Sequence, residues 1–138
     1  MDNWLENYIN VLEKLDRNNL QSLETVTADT LEFRDPFNHT HSQQAFLAIM
    51  ADMFEKLPTV RFTIHQSMQD DLSAFIRWTF TANSKMTGEF SVEGTSRLEA
   101  DSQGLITLHH DYWDASELMQ RLPVLGCIIG KLRCKLSH

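Results

Sequence analysis

From residue 60 to residue 113 apolar and polar positions alternate, whereas before residue 58 most apolar positions recur every three or four residues. Trp4, Leu5, Tyr8, Ile9, Val11, Leu12 and Leu15 trace one stripe of a helix over 2–15, with Asp2 placed to cap it. Asp16-Arg17-Asn18-Asn19 breaks that helix, and Leu20, Leu23 and Val26 predict a short second one. Residues 30–35 interrupt the helical pattern with a strand whose Leu31, Phe33 and Asp35 share one face. A polar loop follows. Ser42 then caps a third helix, which Phe46, Ile49, Met50, Met53, Phe54 and Leu57 carry to Pro58.

The alternating stretch divides at turn residues into four long strands. Val60, Phe62 and Ile64 line the first, up to the turn at Gln69-Asp70-Asp71. Ala74, Ile76, Trp78, Phe80 and Ala82 line the second, which ends at Lys85-Met86-Thr87-Gly88. The third alternates most cleanly, with Phe90, Val92, Gly94, Ser96, Leu98 and Ala100 against a row containing Glu89, Glu93 and Glu99. Asp101-Ser102-Gln103-Gly104 turns into a last strand from Leu105 to Trp113, where Asp114 can cap a short helix with Glu117. Helices followed by a run of strands with short turns predict an α+β fold. The sheet should be an antiparallel meander with the helices against one face, bent at Gly94 into a cone with a hollow.

Asp35 closes the apolar row of the first strand, and two readings of it stand side by side. A carboxylate in line with Leu31 and Phe33 belongs at a cavity wall, where desolvation raises its pKa toward the range of a general base. An Asp-Pro pair also opens turns, and Pro36 stops the strand in either case.

Composition narrows the class. The 138 residues suit one domain, and 42% hydrophobic with 22% charged is ordinary for a globular protein. A net charge of −7 argues against a general nucleic-acid binder. The balance is uneven: Arg121, Lys131, Arg133 and Lys135 fall in the last eighteen residues, which hold no acid. Residues 121–138 therefore read as an apolar and basic tail, packed on the domain or on a partner copy; contact with a membrane surface is the lesser reading. No signal-like start or membrane-length apolar run is present, and a cytoplasmic location is expected. Cys127 and Cys134 would lie about 10 Å apart on a helix, too far to bridge, and read as idle thiols. His39-Thr40-His41 offers a metal neither a third ligand nor a supporting shell, so no metal and no cofactor are expected. His109-His110-Asp111 contains the His-x-Asp half of an iron site, but that chemistry belongs to double-sheet barrels, which this element order is not.

Three segments carry a family resemblance: Phe33-Arg34-Asp35-Pro36-Phe37, Val92-Glu93-Gly94-Thr95-Ser96, and Asp101 to Ile106 running into His110-Asp111-Tyr112-Trp113-Asp114. Over roughly residues 3–120 the chain resembles the SnoaL-like, nuclear transport factor 2-like superfamily. That resemblance implies a cone-shaped sheet wrapped around N-terminal helices, with residues 1–120 as the domain. It leaves function open, since the superfamily holds isomerases, polyketide cyclases, epoxide hydrolases and transport factors.

Set against ketosteroid isomerase within that superfamily, Asp35 falls where the general base stands, the oxyanion-hole tyrosine falls on Val11, and the assisting acid falls on Ser96. Ketosteroid isomerisation is therefore not expected, although Tyr8 lies one turn from Val11. The resemblance also implies that Thr107, His109, Asp111 and Trp113 face the cavity. His109 and Asp111 then form an acid–base pair opposite Asp35, or satisfy one another. Asp111 competes with Asp35 as base, because polyketide-cyclase-like members use an aspartate on this part of the sheet. Tyr8, Trp78, Ser96, Thr107 and Trp113 are the expected ligand contacts, and small side chains at Ser96 and Thr107 favour an open pocket. Two function classes follow: a cofactor-independent isomerase, cyclase or hydrolase of a small apolar molecule, or a non-catalytic binding or interaction module. A homodimer is expected through the outer row Phe75, Arg77, Thr79 and Thr81, which is less charged than its neighbour.

Overall fold

In the computed structural model, which describes residues 3–84, 88–114 and 116, the first apolar stripe forms helix α1 (Trp4–Lys14). Its cap is Asn3, whose side chain accepts from the Leu5 N–H. The second expected helix is a 3₁₀ turn, Leu20–Thr25. The third is α2 (Gln43–Lys56), capped by Ser42 through the Ala45 N–H. Between them run strands β1 (Thr27–Arg34) and β2 (His39–Thr40). The short β2 occupies what reads in the sequence as loop. β3 (Thr59–Asp70), β4 (Ser73–Ser84), β5 (Gly88–Ala100) and β6 (Ile106–Tyr112) form the expected antiparallel meander.

The six strands make one curved, unclosed sheet in the order β2-β1-β6-β5-β4-β3, with β1 parallel to β6. α1 packs on β3 and α2 on β1, so the two helices fill the concave face from opposite flanks. Tyr8 and Leu5 from α1, Phe46 and Phe54 from α2, and Leu31, Ile76, Leu98 and Ile106 from the sheet meet in the core. Burying side chains of this size contributes about 1.5–3 kcal/mol each, which explains why the helices stay in the cone. Trp4 fastens α1 to the wide end of the meander: its indole N–H donates to the Asp71 carbonyl at 2.9 Å, and its Cβ lies against Gly104. Asp71 (φ 56°) and Gly104 (φ 80°) both adopt left-handed backbone in the turns that Trp4 touches.

Two irregularities shape the sheet. His65 is an extra residue in β3 opposite β4, and Thr107 is an extra residue in β6 opposite β5. The second resets the alternation of β6, so that Ile106 and His109 are both buried. Gly94, read as a bend, also has a steric reason to be glycine: a Cβ there would stand 2.4 Å from Cη2 of Trp78, its cross-strand partner.

Among the described residues no helix is long and apolar enough to cross a membrane. The tail at 121–138 with its two cysteines, the Lys85–Thr87 part of the β4–β5 turn and the helix expected after Asp114 lie outside the described residues.

Candidate functional site

A cavity of about 130 Å³ opens between the helices and the concave face of the sheet. Its walls are apolar: Leu12 from α1, Phe46, Ile49 and Met50 from α2, and Phe33, Phe62 and Ile76 from the sheet. Six polar or ionisable side chains interrupt them, namely Asp35, Asn38, Lys56, Ser96, His109 and Asp111. Lys56 is already engaged by Asp52 one turn away at 3.2 Å.

Asp35 stands just past the end of β1, and both readings of it hold together. Its Oδ1 accepts from the backbone N–H groups of Phe37 (2.8 Å) and Asn38 (2.6 Å), an Asx turn that reverses the chain into β2. The Asn38 side-chain amide donates to both carboxylate oxygens, at 3.1 and 3.2 Å, fixing the plane of the group. Yet the group also lines the cavity. Burial and the nearby charge of Asp111 raise its pKa to about 6, outweighing the hydrogen bonds that pull the other way. At pH 7 about nine-tenths of it is therefore ionised. Asn38 is buried, and its own Oδ1 has no donor among the described residues.

The wall formed by β4, β5 and β6 carries a single chain of hydrogen bonds. Trp78 Nε1 donates to Ser96 Oγ at 2.8 Å. An indole N–H can only donate, so Ser96 must turn its own proton to Asp111 Oδ1, its cross-strand neighbour. The same Oδ1 accepts from Nε2 of His109 at 2.7 Å. With that proton placed, Nδ1 of His109 is an acceptor, and it receives the Tyr8 hydroxyl at 2.6 Å. Burial, and then the charge of Asp111, hold the Tyr8 pKa well above its ordinary value, so the hydroxyl keeps its proton. Phe33 and Phe46 pack their rings at 5.3 and 5.9 Å from that of His109 and fix its orientation. Asp111 Oδ2 has no donor among the described residues, and Asp111 lines the cavity beside Asp35.

Of the residues singled out from the sequence, Asp35, Trp78, Ser96, His109, Asp111 and Trp113 all line the cavity. Tyr8 does not: it is fully buried behind His109 and reaches the site only through the imidazole. Thr107 does not either, because the bulge at that position displaces it, and its hydroxyl donates to the Glu99 carbonyl at 3.3 Å. Val11 packs against the core as an apolar residue. Asn38 is a site residue that the sequence pattern does not single out, although an amide three residues after the aspartate of an Asp-Pro pair is the signal that could find it.

A sequence model of the SnoaL-like domain family matches residues 6–109. Among curated proteins none matches the chain. Many solved structures share the fold. A protein from Jannaschia sp. CCS1, described as a candidate SnoaL-like polyketide cyclase, superposes with a TM-score of 0.76 at 8% identity, over 88% of this chain and 92% of that one. A hypothetical protein of ketosteroid isomerase-like fold from Catenulispora acidiphila, solved with trimethylamine, gives 0.72 at 15% identity, over 88% and 92%. An LEH-like epoxide hydrolase of M. tuberculosis gives 0.70 at 17% identity, over 94% and 90%. At such identities the likeness speaks for the fold, and the family match supplies the rest: the chain belongs to the SnoaL-like domain family.

Proposed function

We propose that the protein is a cofactor-independent acid–base catalyst acting on a small apolar molecule, with Asp35 as the base. One observation carries the reading: two carboxylates share an apolar cavity, and the one held by the turn has its pKa raised to about 6. Like charges brought close in a dry site separate in their affinity for protons, which leaves one group to exchange a proton near neutrality and the other to stay charged. Asp35 suits the first role. Its Oδ1 is filled by backbone donors, and among the described residues Oδ2 receives only the long contact from Asn38, so Oδ2 is where a proton would arrive. Asp111 lines the same cavity and is held in place by the donors Ser96 and His109.

In this scheme Asp35 takes a proton from an activated carbon or from a water, and the resulting neutral acid returns it to a different atom of the substrate. Asp111 and His109 orient the substrate or the attacking water. The cavity is comparable to one that admits a benzene ring, so a single-ring ketone with exchangeable α-hydrogens or a small epoxide is the matching substrate class. Ketosteroid-type chemistry fits poorly, because the Tyr8 hydroxyl is spent on His109 and a serine stands at the position of the assisting acid.

The test is exchange and turnover with such a panel: α-hydrogen exchange in deuterated water for small cyclic ketones, and diol formation for small epoxides. The reading predicts conversion that Asp35→Asn lowers by roughly 10²–10⁴ while the fold is kept. Normal turnover by Asp35→Asn with loss in Asp111→Asn would move the base to Asp111. Equal binding of apolar ligands by parent and Asp35→Asn, with no conversion of any panel member, would establish the binding-module reading instead.

A further inference from the structure

The convex face of β1 carries a second grouping of side chains. Glu32 alternates with Leu31 and Phe33 and therefore points away from the cavity. His39 pairs with Arg34 across the β1–β2 ladder, and His41 follows two residues later with its ring centroid 4.7 Å from that of His39. Nε2 of His39 lies 3.1 Å from Oε2 of Glu32, and one ligand atom from each of Glu32, His39 and His41 lies within 4.8 Å of the others.

We propose that Glu32, His39 and His41 bind a divalent metal ion of the zinc type. Two imidazoles and a carboxylate are the ligand chemistry such an ion takes, with bonds of about 2.0–2.2 Å that set neighbouring donor atoms roughly 3.3–3.5 Å apart on a tetrahedron. The His39–Glu32 separation of 3.1 Å is a few tenths of an ångström inside that spacing, and the rest needs up to about 1.5 Å of contraction from side chains that are partly or fully exposed at the hairpin. Three protein ligands leave one position for water.

A supporting shell is also present. His110, buried on β6, donates from Nε2 to the same Glu32 Oε2 at 2.8 Å, which holds the carboxylate toward the two histidines. Glu32 meets the histidines through the β1–β2 pairing, where the sequence reads as loop, and His110, seventy-eight residues from Glu32, meets it through the parallel β1–β6 pairing. Arg34 stands in register between His39 and His110, and its charge sets the expected affinity in the micromolar range rather than that of a closed four-ligand site. Bound there, the ion clamps β2 to β1 and so closes the hairpin whose turn holds Asp35, on the other side of the sheet. The site stands independently of the acid–base reading of the cavity.

The experiment titrates the untagged full chain, stripped with a chelator, with Zn²⁺ in competition with a chromophoric indicator, in a Cys127→Ser, Cys134→Ser background. One ion per chain at micromolar concentration is expected, together with a rise in melting temperature. His39→Ala and His41→Ala should each weaken binding roughly tenfold or more, as should Glu32→Gln, whereas His65→Ala, an exposed histidine bonded to Thr79, should leave it unchanged. Absence of binding at millimolar zinc would overturn the proposal, as would binding that the His39 and His41 substitutions leave intact.

Discussion

Replacing Asp35 by asparagine should make the protein more stable, and by an amount that depends on pH. The carboxyl has a pKa raised to about 6 in the fold against 3.8 in the open chain. A raised carboxylate value means that ionisation opposes folding. Below the open-chain value the penalty is absent, it grows as pH rises through the window between the two values, and it is complete above the folded value. With these values the penalty is about 2 kcal/mol at pH 5 and about 3 kcal/mol at pH 7.5. An asparagine carries no charge to desolvate and keeps the acceptor for the Phe37 and Asn38 N–H groups. It does set an amide N–H₂ against that of Asn38, at a cost of about 1 kcal/mol that does not change with pH.

The expected net gain is therefore about 2 kcal/mol at pH 7.5 and about 1 kcal/mol at pH 5. Urea unfolding of parent and variant at the two pH values measures both. The difference of differences, about 1 kcal/mol, is the telling quantity, because any packing or hydrogen-bonding effect that is the same at both pH values cancels from it. Equal effects at pH 5 and pH 7.5 would refute the reasoning, since they would mean that Asp35 titrates in the fold as it does in water. A stabilising change that abolishes turnover is the usual sign of a group held in an unfavourable state for function.

Other expectations follow from the same geometry. Gly94→Ala places a Cβ 2.4 Å from the Trp78 ring and should cost about 1–3 kcal/mol, with a change in near-ultraviolet circular dichroism as the indole leaves Ser96; an unchanged melting curve would contradict it. Ser96→Ala strands the buried Trp78 N–H and should cost about 1–3 kcal/mol, less in a Trp78→Phe background; strict additivity of the two changes would show that the chain of hydrogen bonds is not a unit. The convex sheet face exposes Phe75 (50%), Met68 (69%) and Tyr112 (55%), and we propose that a second copy covers it; sedimentation at the mass of a 16.0 kDa monomer at micromolar concentration would rule this out.

Periodicity is enough to place both α-helices and the four-strand meander, because each is specified by neighbours within a few residues. The position of β1 beside β6 is not legible: a parallel pairing between segments some eighty residues apart leaves no local trace. Two consequences stay hidden with it, the meeting of Glu32 with His110 and the closeness of Asp35 to Asp111. The bulge at Thr107 hides in the same way, since a single inserted residue resets the inward row without altering the sequence pattern. Asp35 shows why one residue can support two readings. Its turn-forming and cavity-lining roles use different parts of the same carboxylate environment, and sequence alone offers them as alternatives.

The most direct test of the account is a carbon-13 NMR titration of the Asp35 side-chain carboxyl in the folded protein, repeated in an Asp111→Asn variant. The account predicts a midpoint near 6 in the parent, lowered when the charge of Asp111 is removed but still above 3.8 because burial remains. A midpoint at the ordinary aspartate value, indifferent to Asp111, would contradict the claim that the cavity holds a base poised near neutrality.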